Sequence, residues 1–294
     1  MAPRTIAIRD RASGLVVEER VFGGDTLHHL YDTWSGGLVR RLLRRRAANH
    51  LYGWLKRRPA SQREIPSFVA SLGIDATEAE RPLEAYESLD AFFERSLRPD
   101  ARPIEADPAR LVAPVDARTL AFSGCESLVV KRSRVSLDVL LGAPDLARRF
   151  AGGASFVFRL APADYHRFHF PADGVAGRAR RLPGGLESVH PIALAAGARS
   201  FENQRDVTLL ETARFGTLAM VEVGALLVGT IAQTYRPGPV GRGAEKGTFR
   251  FGGSTVVLLA EPGRLRVDDD LLAHGPDAIE VLVRMGTGIA RAGP

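Results

Sequence analysis

Apolar and polar positions change their rhythm near residue 100. Up to Pro99 the chain reads as mainly helical. Asp25 to Leu55 mixes Leu, Tyr and Trp with Arg, and the Gly36–Gly37 pair is a break within it. Ile65 to Leu72 is a short helical run with Pro66 near its start, where a missing N–H costs little. Ser88 stands as an N-cap before LDAFFERSL. That run puts Leu89, Phe92, Phe93 and Leu97 on one face, and Pro99 stops it. After Pro103 the texture changes to short β-like runs punctuated by Gly and Pro. Phe156 to Leu160 is strand-like, Leu218 to Ile231 holds two apolar runs around Gly224 and Gly229, and Thr248 to Leu259 reads as two strands flanking Gly252–Gly253. Two helices interrupt this: Ser136 to Leu141, closed by Gly142, and Pro144 to Ala151, closed by Gly152–Gly153. The fold class expected is α+β: an N-terminal helical region over 1–100, then a mainly antiparallel β catalytic domain over 101–294 with short flanking helices.

Length and composition narrow the classes. The chain has 294 residues, 45% hydrophobic and 25% charged, enough for one sizeable core and too apolar for disorder. The amino terminus has no apolar h-region, and no apolar run approaches the ~18 residues of a membrane-spanning helix. A lone cysteine, Cys125, cannot close an internal disulfide and fits a reducing compartment. The net charge of +6 is local in origin, because Leu38 to Arg58 holds eight basic residues and no acidic one.

Three short segments carry candidate chemistry. In Phe251-Gly252-Gly253-Ser254-Thr255 a glycine pair admits strained backbone just before a hydroxyl, although Gly-Gly-Ser is also an ordinary hairpin turn. In Asp164-Tyr165-His166-Arg167-Phe168-His169 two histidines three apart can face one site, and imidazole suits proton transfer near neutral pH. The same pair also reads as surface histidines on a loop. The other histidines are scattered, so no metal set is expected. Asp116, after Pro114-Val115, is a turn residue or the partner of a histidine.

These motifs sit in six segments: SLDAFFERSLRPDARPI (88–104), VAPVDARTL (112–120), LAPADYHRFHFPADG (160–174), HPIALAAGARSFENQRDV (190–207), VEVGALLVGTI (221–231) and EKGTFRFGGSTVVLLAEPG (245–263). In that order and spacing they resemble the phosphatidylserine decarboxylase family. Ala117 stands where many members have Gly, Gln204 where Glu is common, and Ala225-Leu226 where Ala-Thr is frequent. None of these removes a group the chemistry needs.

The resemblance implies that Ser254 attacks the Gly253 carbonyl, cuts the chain into 1–253 and 254–294, and becomes a covalent pyruvoyl cofactor. His169 would be the base for that attack and Asp116 the group that orients it. The pyruvoyl ketone would take phosphatidylserine as a Schiff base, release carbon dioxide and yield phosphatidylethanolamine. His166 would place the carboxylate or deliver the closing proton. Two alternatives stay open: decarboxylation of a free, for example aromatic, amino acid, and a non-catalytic lipid-binding homologue. For a lipid substrate the basic stretch becomes a contact with an anionic membrane surface, with Leu38, Leu42, Leu43, Leu51, Tyr52, Trp54 and Leu55 on its apolar side. A merely solvated basic face is the other reading of the stretch. Further partners implied are the two cleaved chains themselves and a homodimer, but not nucleic acid. The expected location is peripheral, on the cytoplasmic side of the cell membrane.

Overall fold

The computed structural model describes residues 5–20, 46–226, 230–250, 254–273 and 278–293, with residues 29, 33 and 36. Alternation in TIAIRD makes a strand, β1 (Thr5–Asp10), and a tight turn returns the chain as β2 (Val16–Arg20). Gly14 closes that turn in the left-handed region at φ 73°, where a side chain would be strained. This hairpin adds two strands to a region expected to be mainly helical. A period of two cannot keep one face of a helix apolar. Among the described residues the α-helices before residue 100 include α1 (Arg46–Lys56), α2 (Ile65–Leu72) and α3 (Leu89–Phe93). Ser88 caps α3, its hydroxyl accepting the Ala91 N–H. The helix stops at Phe93, short of the expected Leu97, because Leu97 pairs instead with Ala79 in an isolated bridge.

The remaining elements are β3 (Arg110–Val112), β4 (Ala117–Cys125), β5 (Ser127–Val130), β6 (Ser133–Ser136), α4 (Leu137–Leu141), α5 (Pro144–Phe150) and β7 (Gly153–Leu160). Then come β8 (Arg167–His169), β9 (Gly174–Ala176), β10 (Arg180–Leu182), α6 (Pro191–Ala195), β11 (Arg205–Thr212) and β12 (Gly216–Val223). The chain closes with β13 (Ile231–Gln233), β14 (Gly238–Val240), β15 (Glu245–Phe249), β16 (Ser254–Ala260), β17 (Leu265–Val267), β18 (Glu280–Val283) and β19 (Gly288–Ala292).

Among the described residues eleven strands form the main sheet, in the order β14-β9-β11-β12-β16-β7-β4-β18-β1-β2, with β10 beside β11. Its pairings are antiparallel except that of β1 with β18, which crosses the boundary drawn at residue 100. The central strand β16 reads STVVLLA and is buried on both faces. Val256 and Leu258 pack with Phe158, Met220, Phe168 and Phe249, beneath the small sheets β13-β15-β8 and β17-β19-β3. Val257 and Leu259 pack with Val157, Val221, Leu140 and Phe150, beneath α4, α5 and the β5–β6 hairpin. A third cluster, Ile65, Phe68, Tyr86, Leu89, Phe92 and Phe93, joins α2 to α3, and Tyr52 of α1 leans on it.

Of the basic stretch, Leu38, Arg40, Arg41, Leu42, Leu43, Arg44 and Arg45 lie outside the described residues, as do Phe251, Gly252 and Gly253.

Candidate active site

Strand register gathers the site at one end of three neighbouring strands. Ser254 opens β16 and pairs with Leu160, the last residue of β7. Asp116 immediately precedes β4, the strand on the other side of β7. From Leu160 the chain turns back over Ala161–Asp164, with the Asp164 N–H donating to the Ala161 carbonyl at 2.9 Å. That turn delivers Tyr165 and His166 and leads into β8, which ends at His169. Hydrogen bonds from His169 N–H to the Pro114 carbonyl (2.8 Å) and from Phe249 N–H to the His166 carbonyl (2.9 Å) lock this segment to the loop before Asp116 and to the strand leading toward Ser254.

The Ser254 side chain is completely buried, and among the described residues its Oγ has no hydrogen-bond partner. A buried hydroxyl left unpaired costs about 1–3 kcal/mol, so it needs an explanation other than stability.

His169 is buried and both ring nitrogens are engaged. Nδ1 lies 3.0 Å from the Gly243 carbonyl and Nε2 3.2 Å from Tyr165 Oη. A carbonyl only accepts, so the partners assign the proton to Nδ1 and leave the Nε2 lone pair accepting from the tyrosine. Gly243 offers that carbonyl from the left-handed region, at φ 79°. Burial pulls the imidazole pKa below its ordinary 6.5, against the Gly243 hydrogen bond and the charges of Glu245 and Asp116. A neutral ring with a directed lone pair is the form a general base requires.

Asp116 does not hydrogen-bond to His169. Its carboxylate is held instead by the fork of Arg102, with Nε at 2.9 Å from each oxygen and Nη2 at 2.6 Å, and by the Met285 N–H at 2.8 Å. The same Arg102 reaches Glu78 at 2.8 Å. Burial opposes the charge on Arg102, but its bonds to Asp116 and Glu78 outweigh that and raise its pKa. Asp116 therefore acts on His169 through its charge, while Gly243 and Tyr165 set the ring's orientation.

His166 is fully buried. Its Nδ1 lies 2.9 Å from the Asp164 carbonyl, and its ring rests on Phe93, centroids 3.8 Å apart. Arg95 reinforces the loop, donating to the carbonyls of Ala163 (3.1 Å) and Asp164 (3.3 Å).

The local pattern did not reveal Arg102, Tyr165, Phe93 or Arg95 as site residues, although all four lie inside the quoted segments. Nor did it reveal Glu222 and Lys246, a fully buried ion pair at 2.9 Å. Glu222 pairs in register with Val256, two residues from Ser254.

Comparison with known proteins identifies the family. The family model described as phosphatidylserine decarboxylase matches residues 89–291. The phosphatidylserine decarboxylase proenzyme of Chlamydia trachomatis serovar L2 is 40% identical, the match covering 99% of each chain. The proenzymes of Chlamydia muridarum, at 40%, and Chlamydia pneumoniae, at 39%, each match over 96% of both chains. A match this long, spanning every segment that builds the site, places the chain in the phosphatidylserine decarboxylase family.

Proposed function

We propose that this chain is a proenzyme that cuts itself between Gly253 and Ser254, and that the matured protein decarboxylates phosphatidylserine to phosphatidylethanolamine. The observation that carries the reading is the Ser254 hydroxyl, buried and unpartnered at the first position of the central strand. Such a hydroxyl has no competing hydrogen bond to give up when it attacks the carbonyl before it. The attack turns the amide into an ester. Elimination then releases the 1–253 carboxylate, and hydrolysis with loss of ammonia leaves a pyruvoyl group at the head of 254–294. His169 accepts the hydroxyl proton, and the fixed negative charge of Asp116 favours the imidazolium that results.

Ser254 fits a pyruvoyl position, since its side chain is dry and its strand is anchored on both edges. When formed, that group supplies an electron sink for the substrate's α-carbon as carbon dioxide leaves. His166 delivers a proton to that carbon, its ring held by the Asp164 carbonyl and by Phe93.

An exposed patch supports a lipid substrate over a free amino acid. On α1, Leu51, Trp54 and Leu55 are 58%, 44% and 46% exposed, and Arg58 lies 3.7 Å above the Trp54 ring. Apolar side chains flanked by cations suit an anionic membrane surface, where each Lys or Arg contributes about 1 kcal/mol. Among the described residues no helix is long and apolar enough to cross a membrane. We place the contact on the cytoplasmic leaflet.

Intact-mass measurement on the purified protein tests the reading. Wild type is expected as two chains, 1–253 and 254–294, the smaller carrying the mass of a pyruvoyl terminus. Ser254→Ala is expected as one uncut chain without decarboxylase activity. A break at Gly253 in that variant, or an uncut but active wild type, overturns the assignment.

A further inference from the structure

A buried chain of ion pairs runs from the N-terminal hairpin to the loop that carries His166. It starts at Glu19 on β2. One Glu19 oxygen lies 3.0 Å from Arg118 Nε on β4, an ion-pair contact that is not aligned as a hydrogen bond, and the other lies 2.6 Å from Arg159 Nη2 on β7, within a hydrogen-bonded fork. Arg159 also grips Glu280 of β18, Nε to Oε1 at 2.9 Å and Nη2 to Oε2 at 2.5 Å. Arg118 extends the other way and pairs through Nη1 with the Asp164 carboxylate. That carboxylate also accepts the Ala161 N–H at 2.7 Å, which fixes the turn, and the Asp164 carbonyl accepts from His166 Nδ1. All five charged side chains are 9% exposed or less.

Stability alone does not explain such a network. Removing several charges from water costs as much as or more than their attraction returns, and an apolar cluster of the same volume would hold the strands as well. An ionic network differs from an apolar one in direction: the Arg159 fork on Glu19 and Glu280 admits one geometry, and Arg118 is drawn into place between the carboxylates of Glu19 and Asp164. Here the last member of the chain is the carbonyl that sets which His166 nitrogen carries the proton.

We propose that Glu19 is a positioning residue for His166. By fixing Arg118 it fixes the Asp164 turn, and the turn fixes the tautomer and plane of the imidazole. The hairpin is then part of the catalytic apparatus rather than an appendage. Arg95 holds the same turn from the opposite side, so loss of Glu19 loosens the ring without releasing it. This inference rests on the reading of His166 as the group that delivers the proton.

The test uses the full chain in three variants, Glu19→Gln, His166→Ala and the pair together. Extent of cleavage is read by intact mass. Turnover per pyruvoyl group is read on phosphatidylserine in mixed micelles. Glu19→Gln is expected to mature as wild type does, to lose turnover about tenfold at unchanged KM, as supporting-shell changes do, and to cause no further loss in the His166→Ala background. Wild-type turnover in Glu19→Gln refutes the proposal. So does an equal loss in both backgrounds, which marks a general structural role. Should Glu19→Gln fail to fold, Arg118→Lys keeps the charge but cannot reach Glu19 and Asp164 at once, and the same outcomes decide. His166→Ala with wild-type turnover overturns the reading of His166 itself, whereas a slow His166→Ala with additive Glu19 loss overturns only the coupling.

Discussion

Burial sets the working range of the His169 imidazole. With its pKa drawn below 6.5, the ring is neutral at pH 7 and becomes protonated only as the pH falls through the lowered value. A protonated ring cannot accept the Ser254 proton. The rate of self-cleavage in freshly translated chain, followed by gel between about pH 5 and 8, should therefore be flat near neutrality. It should fall on the acid side with a midpoint below 6.5. A midpoint above 6.5 would count against His169 as the base. On the proposed mechanism Asp116 acts on the same step by charge, and Asp116→Asn removes that charge. Cleavage should slow by roughly 10²-fold or more, the usual cost of disabling a general base, and time courses on gels read it directly. Unchanged cleavage would leave Asp116 as only the anchor of Arg102.

On α1 the helix divides its side chains between two environments. Tyr52 turns to the cluster of Phe68, Tyr86 and Phe92, while Leu51, Trp54 and Leu55 face outward. Apolar side chains clustered on the outward face of a helix mark a surface that a partner or a membrane can cover. Replacing all three by Ser should weaken co-sedimentation with anionic vesicles severalfold, with self-cleavage as the control for folding. Binding that is unchanged, or that vanishes only with added salt, would assign the contact to the basic residues alone. The β1–β2 hairpin teaches a complementary lesson about elements. Ile8 is buried by pairing with β18, a strand almost at the other end of the chain.

Cleavage at Ser254 would sever the chain but not the sheet. β16 lies between β12 and β7, β18 between β4 and β1, and β19 between β17 and β3. Of these, β16 is buried along its whole length. The Arg159–Glu280 pair adds a buried ionic contact between the two products. The 1–253 and 254–294 chains are therefore expected to co-elute on gel filtration in native buffer and to separate only in denaturant, in one transition. Release of the small chain without denaturant would show that β16 does not hold its place after the cut.

Much of this protein is written locally. The helix end at Gly142, the Ser88 cap and the strands within 156–160 and 248–259 are legible in short windows, whereas the motifs around Asp116, His166, His169 and Ser254 stand out only when six segments are taken together. Periodicity, capping and turn chemistry act over a few residues, and reactive side chains announce themselves by type. The partners of those side chains are not local. Arg102 takes the carboxylate that the family resemblance assigns to a histidine. Gly243, far along the chain, takes the His169 nitrogen instead. Glu19 and Glu280 meet at Arg159 from opposite ends of the sequence. Such pairings exist only after strands have chosen neighbours and register, because a charge or a lone pair is satisfied by whatever packing brings within about 3 Å. The chain's pattern states which chemistry is present, and the closed sheet selects which atoms carry it out.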